Sequence, residues 1–152
     1  MRRATLLAVV LVLAVGGAVQ ATGRVASVTG SYQYELFGGT RTVELDAHDG
    51  DSVSGSISYA SPFAVFSGSV TCITVIGSDA WVAGPITTGG DFAGWAVRVR
   101  DGGTPGANGD MAITYVDTLE ASVDFCQAAK QPKRIGDMVP VTAGNLVVRA
   151  AP

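Results

Sequence analysis

Short stretches in which polar and apolar residues alternate, each closed by a glycine-led turn, recur along this chain from residue 25 to residue 149. A period of two places alternate side chains on opposite faces of an extended backbone, so such stretches describe half-buried strands. Residues 25–36 set Tyr32, Tyr34 and Leu36 against Ser31, Gln33 and Glu35. After Gly38-Gly39, residues 40–47 set Val43, Leu45 and Ala47 against Thr42, Glu44 and Asp46. Asp49-Gly50 is a favoured hairpin dipeptide, and residues 52–60 then carry Val53, Gly55, Ile57 and Tyr59 on one side with serines on the other. Residues 94–100 alternate Trp95, Val97 and Val99 with Ala96, Arg98 and Arg100.

The remaining strands are read less directly. Residues 63–76 are long enough for one bent strand, with Ser67-Gly68-Ser69 marking the bend or a bulge, and 80–87 return after Gly77-Ser78-Asp79. Residues 111–116, 139–142 and 146–149 complete the set. The segment 101–110 holds four glycines and a proline and reads as loop. Between 119 and 129 the pattern is open: a short helix, a strand around 123–126, or part of each. Seven to nine short strands with tight turns indicate an antiparallel all-β domain. An up-and-down β-barrel or barrel-like roll of about eight strands fits best, because hairpin-length turns favour sequential pairing. A two-sheet β-sandwich is the alternative. The last strand is expected to lie near the first.

The N-terminus is of another kind. Arg2 and Arg3 precede a ten-residue apolar run at 6–15, and Val19-Gln20-Ala21 offers small residues for cleavage after Ala21. This predicts a signal peptide at 1–21 and a single secreted domain at 22–152; the run is too short for a spanning helix, which needs about 20 residues. Without Arg2 and Arg3, the ten basic side chains fall to eight against thirteen acidic ones. That balance argues against nucleic acid as a partner and gives no attraction to anionic lipid. Two cysteines, Cys72 and Cys126, are expected to pair in an oxidising compartment.

The segments Gly68-Ser69-Val70-Thr71-Cys72-Ile73-Thr74-Val75 and Ala80-Trp81-Val82-Ala83-Gly84 carry a resemblance. With Val99-Arg100-Asp101-Gly102-Gly103 and the terminal Gly144-Asn145-Leu146-Val147-Val148, the chain resembles a group of small exported bacterial domains common in actinobacteria. The resemblance implies an exported β-domain with one disulfide and carries no catalytic residue.

Candidate sites are sparse. Asp101, Asn108 and Asp110 share one loop and offer oxygen ligands for calcium, but their spacing does not match an EF-hand, and an ordinary loop favours the same residues. His48 is the only histidine, which excludes a multi-histidine zinc site, and no Gly-x-Ser-x-Gly elbow accompanies it for a triad. Glu35 and Glu44 would serve a glycosidase only if they face each other across the first hairpin. Glu120 and Asp124 share a face only if their segment is helical. Tyr59, Trp81, Trp95 and Tyr115 are the aromatic residues best suited to line a pocket, should the barrel be hollow.

No cofactor is expected. The preferred function is a non-enzymatic secreted domain, binding or structural, with a small apolar ligand or a protein surface as partner. A lipocalin-like carrier is one alternative. Another is a barrel enzyme of the isomerase or cyclase type, which requires a polar cluster inside the barrel, with Arg98 or Glu44 turned inward.

Overall fold

Nine strands and one helix follow one another as β1 (Ala26–Leu36), β2 (Gly39–Asp49), β3 (Val53–Ala60), β4 (Val65–Ser69), β5 (Cys72–Ile76), β6 (Asp79–Gly89), β7 (Gly94–Arg100), β8 (Met111–Asp117), α1 (Leu119–Gln127) and β9 (Val139–Arg149). The computed structural model describes residues 25–103, 107–129 and 138–152. The predicted signal peptide, 1–21, lies outside the described residues.

Each hairpin pairs sequential strands antiparallel, β9 pairs with β1, and β4 closes the ring onto β6. The result is a closed eight-stranded barrel with β5 as one extra strand. Closure removes the unpaired edges that an open sheet of this size would expose. The alternation read from the sequence sets which face is inside: Val28, Tyr32, Val43, Leu45, Ala47 and Ile57 are buried in one core. Ser31, Glu44, Asp46, Ser54, Ser56 and Ser58 face outward and are exposed. A membrane-spanning barrel carries the reverse pattern, apolar outside and polar within.

Two boundaries differ from the expectation above, and the segment left open between helix and strand resolves to one of its options. The run 63–76 is two strands, with the chain crossing over at Val70-Thr71; the bulge reading at 67–69 has its counterpart in a register shift against β6 between Ser67 and Gly68. There Val70 N–H donates to the Gly55 carbonyl and Thr71 N–H to the Ala83 carbonyl. β4 stays in the barrel wall against the upper half of β6, while β5 takes the lower half and leaves β3. The crossover passes so close to β6 that a Cβ on Gly84 would lie 1.9 Å from the Ser69 carbonyl oxygen. The two final strands are one, β9, whose register shifts opposite Gln33/Tyr34. Thr142 is the residue passed over at that shift, its hydroxyl donating to the Gln33 carbonyl at 3.2 Å, and nearby Gly144, at φ +95°, has no room for a Cβ against the Ser31 carbonyl. Lastly, residues 119–127 are helical, capped by the Thr118 hydroxyl, which accepts from Ala121 N–H.

Helix α1 explains why β6 and β7 are apolar on both faces. Their inward residues Ala80, Val82, Trp95, Val97 and Val99 fill the barrel. Their outward residues Trp81, Ala83 and Ala96 form a second core with Val123 and Phe125 of the helix. Cys72 on β5 and Cys126 on α1 form a disulfide with Cα atoms 6.2 Å apart, which pins the helix to the extra strand. Gly94 lets the helix start approach, since a Cβ there would lie 2.6 Å from the Leu119 Cα.

Candidate binding site at the barrel mouth

The four aromatic residues singled out as pocket-lining do not share a cavity. Trp95 lies wholly inside the barrel and donates its indole N–H to the Pro85 carbonyl at 3.2 Å. Tyr59 also packs on the inner side, stacked on Phe66 at 4.8 Å between ring centres. Trp81 and Tyr115 sit on the outer face beneath α1, Tyr115 edge-on to Phe125 at 4.7 Å. Strand alternation alone does not separate these two pairs, because the helix that covers the outer face of β6–β8 comes from a later part of the chain.

Asp101 and Asp110 staple their loop. Asp110, 1% exposed, accepts Gly102 N–H at 2.8 Å, and Asp101 accepts Gly103 N–H at 2.7 Å and Val148 N–H at 3.0 Å. Asn108 is exposed. The carboxylates therefore serve backbone donors, including one on the part of β9 that β8 does not pair. His48 lies on the outer face bonded to Asp46 at 2.9 Å, and among the described residues no serine hydroxyl bonds to it. Glu35 and Glu44 do not face each other: Glu35 is opposite Thr40 and Glu44 opposite Ser31. Four residues of extended chain separate them, about 13 Å. Glu120 and Asp124 share an exposed helix face. Arg98 and Glu44 do not turn inward. Arg98 is buried in the outer layer, bonded to Asp79 at 3.2 Å with its guanidinium 5.0 Å from the Trp81 ring centre.

The polar groups inside the barrel are others: Arg41, Tyr32, Tyr34 and Thr114, all buried. Arg41 stands opposite Tyr34 near the end of the barrel bearing the 37–38, 61–64 and 90–93 loops. It is 4% exposed, donates to the Gly39 carbonyl at 2.6 Å, and lies 5.2 Å beneath the ring centre of Phe63. Among the described residues no carboxylate is within ion-pair distance of it. A buried cation is costly unless paired, so this guanidinium is an unmet demand for an anion.

The hydroxyls beside it are equally unmet. Tyr34 and Thr114 face each other without closing a hydrogen bond of good geometry, and the Tyr32 hydroxyl has no partner. Burial holds both phenols well above the ordinary tyrosine range; the neighbouring Tyr34 adds to this for Tyr32, while Thr114 and Arg41 temper it for Tyr34. Both are therefore protonated donors at any physiological pH. Buried polar groups are almost always hydrogen-bonded, and a cluster of orphans marks a place where water or a ligand belongs.

The signal for this cluster was present in the sequence. Extending the apolar face Val43-Leu45-Ala47 back by two residues reaches Arg41, a charge in core register. Tyr32 and Tyr34 were placed on the apolar face, and a phenol there brings its hydroxyl with it.

A second feature is a shallow depression of about 480 Å³ on the outer face of β1–β4, lined by Ser31, Glu44, Asp46, Ser56, Ser58 and Ser67 among others. Most of these lining side chains are exposed to solvent and no aromatic ring joins them, so nothing there demands a ligand. Comparison with known protein families, curated proteins and solved structures finds no match to this chain.

Proposed function

We propose that the protein is a secreted, non-enzymatic β-barrel domain that binds a small ligand at its mouth. The observation that carries this reading is the buried Arg41 without an acidic partner, beside the orphaned hydroxyls of Tyr34, Tyr32 and Thr114. Binding is favoured over the isomerase or cyclase alternative by the chemistry of the cluster. Proton transfer near neutral pH needs a group that titrates there. Among the described residues, no carboxylate or imidazole joins Arg41, and burial keeps the two phenols protonated. A carrier that encloses its ligand, as a lipocalin does, is disfavoured by the filling of the barrel's middle: a Cβ on Gly68 would lie 2.2 Å from the Trp95 indole nitrogen.

Export is part of the same proposal. It rests on the basic and apolar segments before Ala21 and is supported by the Cys72–Cys126 disulfide. No helix of the described residues is long and apolar enough to cross a membrane. Membership of the group of small exported bacterial domains is proposed on the strand motifs at 68–84, 99–103 and 144–148. Native mass spectrometry of protein from the exported fraction tests the reading. A chain beginning at Thr22, with a bound mass that leaves on denaturation, is expected. An intact N-terminus would overturn export, and an empty protein indifferent to every added small molecule would overturn binding.

A further inference from the structure

The mouth is polar beneath and apolar above. Five exposed hydrophobic side chains, Phe37, Phe63, Val65, Phe92 and Leu119, belong to segments that all lie at the end of the barrel where Arg41 sits. Phe37 is in the β1–β2 turn, Phe63 is in the β3–β4 loop, Val65 opens β4, Phe92 is between β6 and β7, and Leu119 opens α1. Proximity across this rim is direct in two places: Gly39 lies against both Pro62 and the Arg41 guanidinium, and Gly94 against Leu119. Phe63, 74% exposed, forms the step between the layers, because its ring covers the guanidinium on one side and meets solvent on the other.

From this arrangement we infer that the ligand is a monoanionic amphiphile, a carboxylate seated on Arg41 with its apolar body lying outward across the phenylalanine rim. The inference rests on the proposed binding role of the mouth. Charge balance selects a monoanion. One guanidinium with neutral hydroxyls compensates one negative charge, and a dianionic phosphate would bury a second without a partner. Geometry selects the donors: with one N–H on the Gly39 carbonyl, the guanidinium keeps others for a carboxylate, and the Tyr34 and Thr114 hydroxyls can complete its lone pairs. Packing selects the direction. Trp95, Ile57 and Phe66 fill the barrel below, so an apolar chain cannot run inward and must lie on the rim.

The test is a titration of the purified protein with sodium octanoate, sodium acetate and octanol, followed by NMR at the Arg41 side chain and at the Tyr34 and Thr114 amides. Saturable shifts with octanoate, at least tenfold tighter than with acetate or octanol, are expected. Arg41→Gln should lose that advantage over octanol, and Phe63→Ser, at an exposed position, should weaken octanoate while sparing acetate. Octanol binding as tightly as octanoate would overturn the anion while leaving the mouth as a binding site. Acetate as tight as octanoate would overturn the apolar body. No shift at the mouth with any of the three would remove both this inference and the binding role beneath it.

Discussion

At Tyr32 and Tyr34 the barrel keeps two hydroxyls out of water without giving them partners. Leaving a buried hydroxyl unsatisfied costs about 1–3 kcal/mol, so its removal should help the ligand-free protein. Tyr34→Phe is therefore expected to raise the urea midpoint of the free protein while weakening octanoate binding; a lower midpoint together with unchanged binding would show that the hydroxyl is structural. Gly68 has the opposite logic. Its missing Cβ is the space taken by the Trp95 indole and the Pro85 carbonyl, at 2.2 and 2.6 Å. Gly68→Ala should overpack that point and cost about 2 kcal/mol, read as a shift in the urea midpoint.

Among the elements, α1 and the two ends of the 101–110 segment are held to the barrel by a few named attachments. The helix lies outside the barrel on a small second core, and the Cys72–Cys126 bond closes a loop spanning 54 residues. In the chain-entropy account such a bond contributes roughly 4 kcal/mol. Cys126→Ser should accordingly lower the melting temperature by many degrees under non-reducing conditions, and an unchanged melt would refute the tether. In the loop, Asp101 gives its two oxygens to the N–H groups of Gly103 and Val148, and Asp110 gives one to Gly102 N–H. Asp101→Ala is expected to cost about 1–3 kcal/mol. Because both Asp101 oxygens and one Asp110 oxygen are already taken by backbone N–H groups, millimolar calcium should leave the wild-type melt where it is.

For the whole molecule, burial of neutral phenols sets a pH limit. Both tyrosines hold their protons in the folded state to higher pH than in the unfolded chain, where they ionise at about pH 10. The folded state thus binds more protons above that pH, and stability falls as pH rises. The contribution is complete below about pH 10 and is lost progressively toward the folded values. Urea midpoints measured from pH 8 to 12 should decline, and a Tyr32→Phe, Tyr34→Phe double variant should decline less steeply. Parallel slopes would place the alkaline sensitivity elsewhere.

The all-β class, most strand positions, the pairing of last strand with first and the disulfide were legible in the chain itself. Alternation and turn chemistry are local, and a cysteine pair without a Cys-x-x-Cys motif, behind a segment read as an expected export signal, has few other uses. The inward face of β2 was legible from Val43 to Ala47, whereas Arg41, two residues earlier in the same register, was missed although its position carried the signal. What the tertiary structure alone decided is which strands are covered twice and what meets inside. Trp81 and Trp95 stand on strands of similar pattern, yet one faces the helix and the other the barrel. Tyr34 and Thr114 are 80 positions apart and become neighbours only when the sheet closes. Local spacing fixes the face a side chain takes; ring closure and the docking of α1 fix what that face meets, and the candidate site is made of such long-range meetings.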